Sequence, residues 1–220
     1  MKITLKGTVT REQISSQLDL DVSFETTYRT GFTIVEYAGE DHEIFCNYLK
    51  NNFELGYLMS ELNSDIYPGR LVDVGKYGFG IFCDINSQKE ALISLNSLRE
   101  TFGKKLPTRE YIYKKGLVNG LCVNVRITRI ERGTDQIWAE IDKEWADKYL
   151  KRGYVTISRA DRRELESIIK NSSFRNSLGL IPLCKDSFAI SCKEGIDPPG
   201  IVNFIGSRLK DARLGIVGEI

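Results

Sequence analysis

One histidine, His42, is present in 220 residues. A Ser-His-Asp or Cys-His nucleophile would have to use it. Multi-histidine metal sites are excluded, and a mixed site has one imidazole to draw on. The five cysteines (Cys46, Cys83, Cys122, Cys184 and Cys192) are odd in number and form no Cys-x-x-Cys pair. Neither a disulfide framework nor a zinc ribbon is expected. Their apolar, strand-like or helix-like settings point to small buried thiols. No apolar run nears the roughly 20 residues that span a bilayer. Met1-Lys2-Ile3-Thr4-Leu5-Lys6 opens as a strand, without the apolar stretch of a signal peptide, so a cytoplasmic chain with no membrane partner is expected. Net charge is nearly absent as well, with 31 basic residues against 30 acidic ones.

What is present is ordinary for a folded protein: 41% hydrophobic and 28% charged residues, which disfavours disorder. Residues 1–63 alternate as strand, helix, strand, strand, helix, strand. Ile3, Leu5 and Val9 share one face of the first strand. Thr10 and Gln13 form a capping box for a helix over Arg11 to Leu18. Val22 to Tyr28 and Phe32 to Tyr37 are two arms broken at Gly31. Asp41 to Asn52 is a helix and Leu55 to Met59 a last strand. Residues 143–220 repeat this order. Tyr154 to Ile157 is a strand, and Ser158 with Asp161 is a capping pattern for the helix that follows. Leu180 to Cys184 and Ser187 to Cys192 form a hairpin around Lys185-Asp186. Asp197 and Pro198 open a second helix, and Arg213 to Val217 closes the unit. Both ends read as βαββαβ, ferredoxin-like domains.

Charge is distributed unevenly among these segments. Residues 1–63 hold 5 basic and 10 acidic residues, a net −5; residues 64–142 carry +2 and residues 143–220 carry +4. Within 99–132 there are 9 basic and 3 acidic residues. Near-neutrality is therefore a cancellation, and the central and C-terminal parts suit an anionic partner.

Residues 64–142 read as an all-β unit. Pro68 to Ile85 is two strands hinged at glycines. Lys89 to Leu95 holds a third strand, and Leu98 to Phe102 a short helix followed by the basic loop Gly103-Lys104-Lys105-Leu106-Pro107. Asn119 to Ile130 alternates strictly, turns at Arg132-Gly133 and returns through Gln136 to Ile141. Five strands with one helix between the third and fourth is the plan of an OB barrel, making the chain α+β with a central all-β barrel.

Gly69-Arg70, Tyr77-Gly78, Glu90-Ala91-Leu92-Ile93, Gly120 and Val123-Asn124-Val125-Arg126-Ile127 carry a resemblance over about a third of the chain. The stretch resembles the OB-type RNA-binding domain repeated in the largest small-subunit ribosomal protein of bacteria, the ribosomal-protein-S-one type. The whole chain resembles an archaeal family defined by a domain of unknown function. The first resemblance implies aromatic rings that stack on bases and cations that follow phosphates. Tyr77 stands at the first family aromatic, Gly80 replaces the second, and Ser94 stands where the family has a third-strand histidine. Phe79 and Phe82 offer replacement rings, with strand alternation turning one of them to the barrel interior. Lys76, Lys104, Lys105, Arg109, Lys114, Lys115, Arg126 and Arg129 supply the cations, and Arg159, Arg162 and Arg163 extend the footprint.

Other motifs read as structure. Gly75 to Gly80 lacks full GxGxxG spacing and a following helix, so its glycines bend a strand rather than hold a nucleotide. Gly31 to Tyr37 resembles an RNA-recognition strand, but Thr4 and Ile34 stand where rings are needed and the segment is acidic. Beside Glu40, Asp41 and Glu43, His42 marks a helix start. Asp161-Arg162-Arg163-Glu164 is a charged first helical turn, and Asp197-Pro198-Pro199-Gly200 a rigid helix entry. The expected function is a non-enzymatic, monomeric, RNA-binding or ribosome-associated factor with no cofactor or metal. The rival is a protein adaptor in transcription or translation, whose acidic N-terminal unit docks a basic partner.

Overall fold

The computed structural model describes residues 1–15 and 20–219. The chain is a mixed α/β protein with a closed five-stranded barrel and two further sheets. It divides into two compact units, residues 1–63 with 85–90, and residues 64–84 with 91–220.

In the first unit, β1 (Lys2–Lys6), β2 (Val22–Arg29) and β3 (Phe32–Gly39) form an antiparallel sheet in the order β1-β3-β2. The capping box is present: Thr10 N donates to Gln13 Oε1 at 2.8 Å, and Gln13 N to Thr10 Oγ1 at 3.3 Å. It opens α1 (Arg11–Ser15); the expected continuation to Leu18 lies outside the described residues. Leu5, Val35 and Tyr37 pack on Phe45 and Leu49 of α2 (His42–Asn52). Phe32 and Ile34 are buried on the other face against Leu58. Phe32 therefore offers no exposed ring, in keeping with plain strand periodicity. The last strand expected over Leu55 to Met59 is reduced to isolated bridges, Leu5 to Leu55 and Tyr57 to Ser87.

That segment is held by Glu61, which takes Lys2 Nζ at 2.6 Å, Thr4 Oγ1 at 3.0 Å and Leu58 N at 3.1 Å. Burial raises the Glu61 carboxyl, but Lys2, the Leu58 amide and Thr4 together outweigh it and hold the pKa below 4.5. A depressed folded pKa gives stability that is complete above the unfolded value and lost as pH falls through the folded one. We expect hydrogen exchange of the β1 and β3 amides to accelerate beyond the intrinsic pH effect as pH falls through and below the ordinary glutamate range, and Glu61→Gln to flatten that excess.

The barrel comprises β4 (Ile66–Val72), β5 (Gly80–Asp84), β6 (Ala91–Ser94), β7 (Cys122–Glu131) and β8 (Gln136–Ile141), in the closed order β4-β5-β6-β8-β7. All neighbouring pairs are antiparallel except β6 with β8. Period-two alternation fills the interior with Leu71, Ile81, Cys83, Ile93, Val125, Ile127 and Ala139, each at most 1% exposed. Two helices lie between the third and fourth strands, where one was expected. Ser94 ends β6 and caps α3 (Leu95–Phe102), its Oγ accepting from Ser97 N at 3.1 Å. The stretch read as a basic loop continues into α4 (Thr108–Lys114), anchored by the fully buried Tyr111. After β8, Asp142 caps a further unforeseen helix, α5 (Lys143–Tyr149).

The remaining elements run β9 (Tyr154–Ser158), α6 (Arg162–Lys170), β10 (Leu178–Cys184), β11 (Ser187–Cys192), α7 (Pro198–Gly206) and β12 (Arg213–Ile216). Their antiparallel sheet has the order β10-β11-β9-β12. Asp161 alone caps α6, accepting from Glu164 N at 3.0 Å; Ser158, expected to share that cap, is engaged elsewhere. On one sheet face Val155, Ile157, Phe188 and Ile190 pack on Leu165 and Ile169 of α6 and Ile201 and Ile205 of α7.

The opposite face is docked on the barrel segment 115–122. Thr156, Ser158 and Ser187 are fully buried there. The Thr156 hydroxyl donates to Gly116 O, Ser158 Oγ to Asn119 O at 2.6 Å, and Ser187 Oγ to Gly120 O at 3.1 Å. Gly218 N donates to Lys114 O at 2.7 Å. Gly116 and Gly215 cross back to back, so closely that a Cβ on Gly215 would stand 2.7 Å from Gly116 Cα. The expectation of five free thiols is corrected at this seam. Cys122 and Cys184 form a disulfide, with Cα atoms 6.1 Å apart. Sequence separation of 62 residues hid a pair that docking of the sheet brings together.

Candidate nucleic-acid interface

Tyr77, Phe79 and Phe82 form one three-ring cluster. Tyr77 lies 5.2 Å from Phe79 and 5.5 Å from Phe82, and Phe79 lies 6.2 Å from Phe82, centroid to centroid. Phe82 points outward from β5 between the inward Ile81 and Cys83, while Tyr77 and Phe79 come from the β4–β5 turn. The expectation that one of Phe79 and Phe82 faces the interior is corrected: neither does, because Gly80 starts the strand and sets the alternation after Phe79. Phe79 is 54% exposed. Two edge-on contacts to Phe82 hold the other rings upright, an arrangement favoured by the ring quadrupole.

Gly80 and Ser94 are each committed to the fold. A Cβ on Gly80 would meet Ile93 O at 2.4 Å, so no side chain fits there. Ser94 is committed to capping α3. The rings at Phe79 and Phe82 lie one residue before and two residues after the position Gly80 cannot fill.

Cations join the rings in two ways. Lys76 Nζ lies 5.2 Å from the Tyr77 centroid and 2.8 Å from Asp73 Oδ2. Asp73 first, then Tyr77, raise the pKa of the Lys76 ammonium. The basic loop is held by two side-chain hydroxyls, those of Thr108 and Tyr111. Thr108 Oγ1 donates to Gly78 O at 2.6 Å, and the Tyr111 hydroxyl donates toward the carbonyls of Gly103 (2.9 Å) and Lys104. These bonds seat Lys104, Lys105 and Arg109 beside the turn that carries Tyr77 and Phe79.

The other expected cations lie elsewhere. Lys114 and Lys115 end α4 at the seam with β12. Burial pushes the Lys115 ammonium below its ordinary pKa against the opposing pull of Asp147, and its Nζ lies 5.4 Å from the Phe102 ring. Arg126 is paired with Asp142 at 3.6 Å and Arg129 with Glu131. Arg126 opposes Ile66 on β4, whereas Phe82 opposes Val72; at about 3.3 Å per residue those positions are roughly 20 Å apart. Arg162 is occupied by Glu166 at 2.7 Å.

Residues not foreseen as functional lie next to Phe82. Arg70 and Asp84 are cross-strand partners one pleat further along the same outer face. They open into a cavity of about 420 Å³, also lined by Asp73, Asn119, Arg159 and Asp186. A more apolar cavity of about 530 Å³ lies between α4 and α7, lined by Tyr113, Leu117, Val202 and Leu214. Among the described residues, the one group of three potential metal ligands is Cys122, Cys184 and Asp186, and its sulfurs offer no thiolate while bonded to each other. No protein-family model matches the chain, and no curated protein matches it.

Proposed function

We propose that this chain is a non-enzymatic RNA-binding or ribonucleoprotein-associated factor, with a barrel of the OB type found in ribosomal-protein-S-one domains. The observation that carries this reading is the Tyr77–Phe79–Phe82 cluster, with Phe79 exposed and the other two rings half-buried, flanked by Lys76 and the Lys104–Arg109 loop. Rings stack on bases of any sequence while nearby cations follow the backbone. The OB assignment is supported by the closed strand order, with a parallel pairing between third and fifth strands. A ferredoxin-like assignment for the outer sheets is supported by the order β10-β11-β9-β12, and in the first unit by β1-β3-β2 with the Leu55 bridge on the free side of β1. We place the protein in the cytoplasm of an archaeon, as a monomer.

Binding of single-stranded RNA of mixed sequence, measured against salt, tests the reading. Each contacted phosphate contributes about −0.7 to the slope of log affinity on log salt, so four cations give roughly −3. No detectable affinity at about 50 mM salt would overturn it.

The second reading is a protein adaptor. It is favoured by the net −5 of residues 1–63, a surface suited to a basic protein and opposed to phosphate. It predicts a partner retained after nuclease treatment and indifferent to loss of Tyr77 and Phe79.

A further inference from the structure

We propose that the cavity between the barrel and the C-terminal sheet is a ribonucleotide subsite that distinguishes RNA from DNA. The inference rests on the RNA-binding reading and deepens it. Its volume, about 420 Å³, falls at the small end of the range for ligand pockets, roughly 300–1,000 Å³.

The walls come from five separated pieces of one compact unit: β4 with its turn, the end of β5, residues 119–120, the Arg159 loop and the Asp186 loop. Arg159 is held in a left-handed conformation, φ 59°, which costs a non-glycine residue energy and persists only where neighbours enforce it. The enforcement is visible on both sides. Ser158 Oγ donates to Asn119 O at 2.6 Å, and Ala160 N donates to Asp186 O at 3.1 Å. The Arg159 side chain then runs over Gly120, where a Cβ would stand 3.5 Å from Nε and 3.6 Å from Cγ. Those are ordinary contact distances, so it is the backbone of Gly120, at φ +80°, that calls for glycine here. Among the described residues the Arg159 guanidinium has no ion-pair partner, whereas Arg70 is tied to Asp186 at 2.7 Å.

The remaining groups are set by the same bonds. Asn119, which lines the cavity, accepts from Val74 N through Oδ1 at 2.8 Å, which leaves Nδ2 as its side-chain donor. Asp73, also left-handed at φ 50°, lines the rim. Asp84 shares the outer face of β5 with Phe82, two residues away, a step of about 7 Å along a strand.

Donors and carboxylates in one pocket, adjoining a stacking ring, match a nucleotide unit rather than a bare anion. A base on the Phe82 cluster would set its ribose over Asp84 and the next phosphate toward Arg159 and Asn119 Nδ2. A carboxylate is a natural acceptor for a ribose 2′-hydroxyl, the group by which a protein tells RNA from DNA.

The test is binding of matched single-stranded RNA and DNA oligonucleotides to the full chain at one low salt concentration. Wild type is expected to prefer RNA by about tenfold, the effect of one hydrogen bond to a charged group. Asp84→Asn should bring RNA down to the DNA level and leave DNA unchanged. Arg159→Gln should weaken both and reduce the salt slope by about 0.7. Equal affinity of wild type for RNA and DNA, or an unchanged ratio in Asp84→Asn, would overturn the subsite while leaving the RNA-binding reading intact. Failure to bind either strand would overturn both. An Asp84→Asn chain with unaltered thermal unfolding but a lost ratio separates recognition from misfolding.

Discussion

Replacing Tyr77 and Phe79 together by alanine is expected to weaken single-stranded RNA binding about 100-fold without changing thermal unfolding. Stacking on an exposed ring contributes about 1–3 kcal/mol per base, and tenfold corresponds to about 1.4 kcal/mol. Two rings at the lower half of that range give about 100-fold. Neither ring belongs to the buried core: Phe79 is half exposed, and Tyr77 sits in the β4–β5 turn. Stability should therefore be retained, unlike in a Leu71 or Ile81 truncation. Phe82 braces both rings edge-on, so Phe82→Ala should act through their orientation and lose less. Anisotropy titrations of the double variant decide the matter; affinity within about threefold of wild type would remove the rings from the interface and favour the adaptor reading.

Cys184→Ser is expected to destabilise the larger unit by about 2–4 kcal/mol. The Cys122–Cys184 bond closes a loop of 62 residues that runs from β7 through β8, α5, β9 and α6 to the end of β10. The chain-entropy treatment puts a loop of that size at about 4 kcal/mol, and native-state relaxation takes some of it back. Reductant should shift the urea midpoint of wild type to the same extent and leave Cys184→Ser unmoved. Thiol titration of unreduced, denatured wild type should find three reactive groups, Cys46, Cys83 and Cys192. Five would show that the two sulfurs lie together without bonding. Beyond stability, the bond adjoins the candidate subsite. Cys122 pairs with Arg70 across β4 and β7, and Asp186, two residues past Cys184, holds the Arg70 guanidinium. A reduced protein should keep ring stacking and lose part of its RNA preference, because the walls of the cavity come from both sides of the seam.

Much of the barrel was legible because alternation is a local property. Val123, Val125 and Ile127 point inward for the same reason that Asn124 and Arg126 do not. What alternation did not reveal is which second faces are wet. On β9 and β11 the residues between Val155, Ile157, Phe188 and Ile190 are Thr156, Ser158, Ser187 and Ala189. They are small and uncharged, where a solvated face would carry lysine or glutamate. That pattern is a local sign of a docked face. The short helices α4 and α5 were missed for a different reason. Seven residues cannot hold a helix in water by propensity alone, and each depends on one anchor, Tyr111 in α4 and Trp145 in α5, whose burial is a tertiary fact.

The sequence by itself determined the alternating strands, the caps at Thr10 and Asp161, the uneven charge, and the position of Tyr77 and its neighbours in a barrel turn. Those depend on spacings of a few residues. Only the tertiary structure decided that Phe79 and Phe82 both face outward, that Lys104 and Lys105 join them while Arg126 and Arg129 do not, and that Cys122 meets Cys184. Each of these turns on contacts between residues tens of positions apart, such as Thr108 with Gly78 or Ser158 with Asn119. Such contacts form when buried faces choose their partners, a choice that local spacing does not encode.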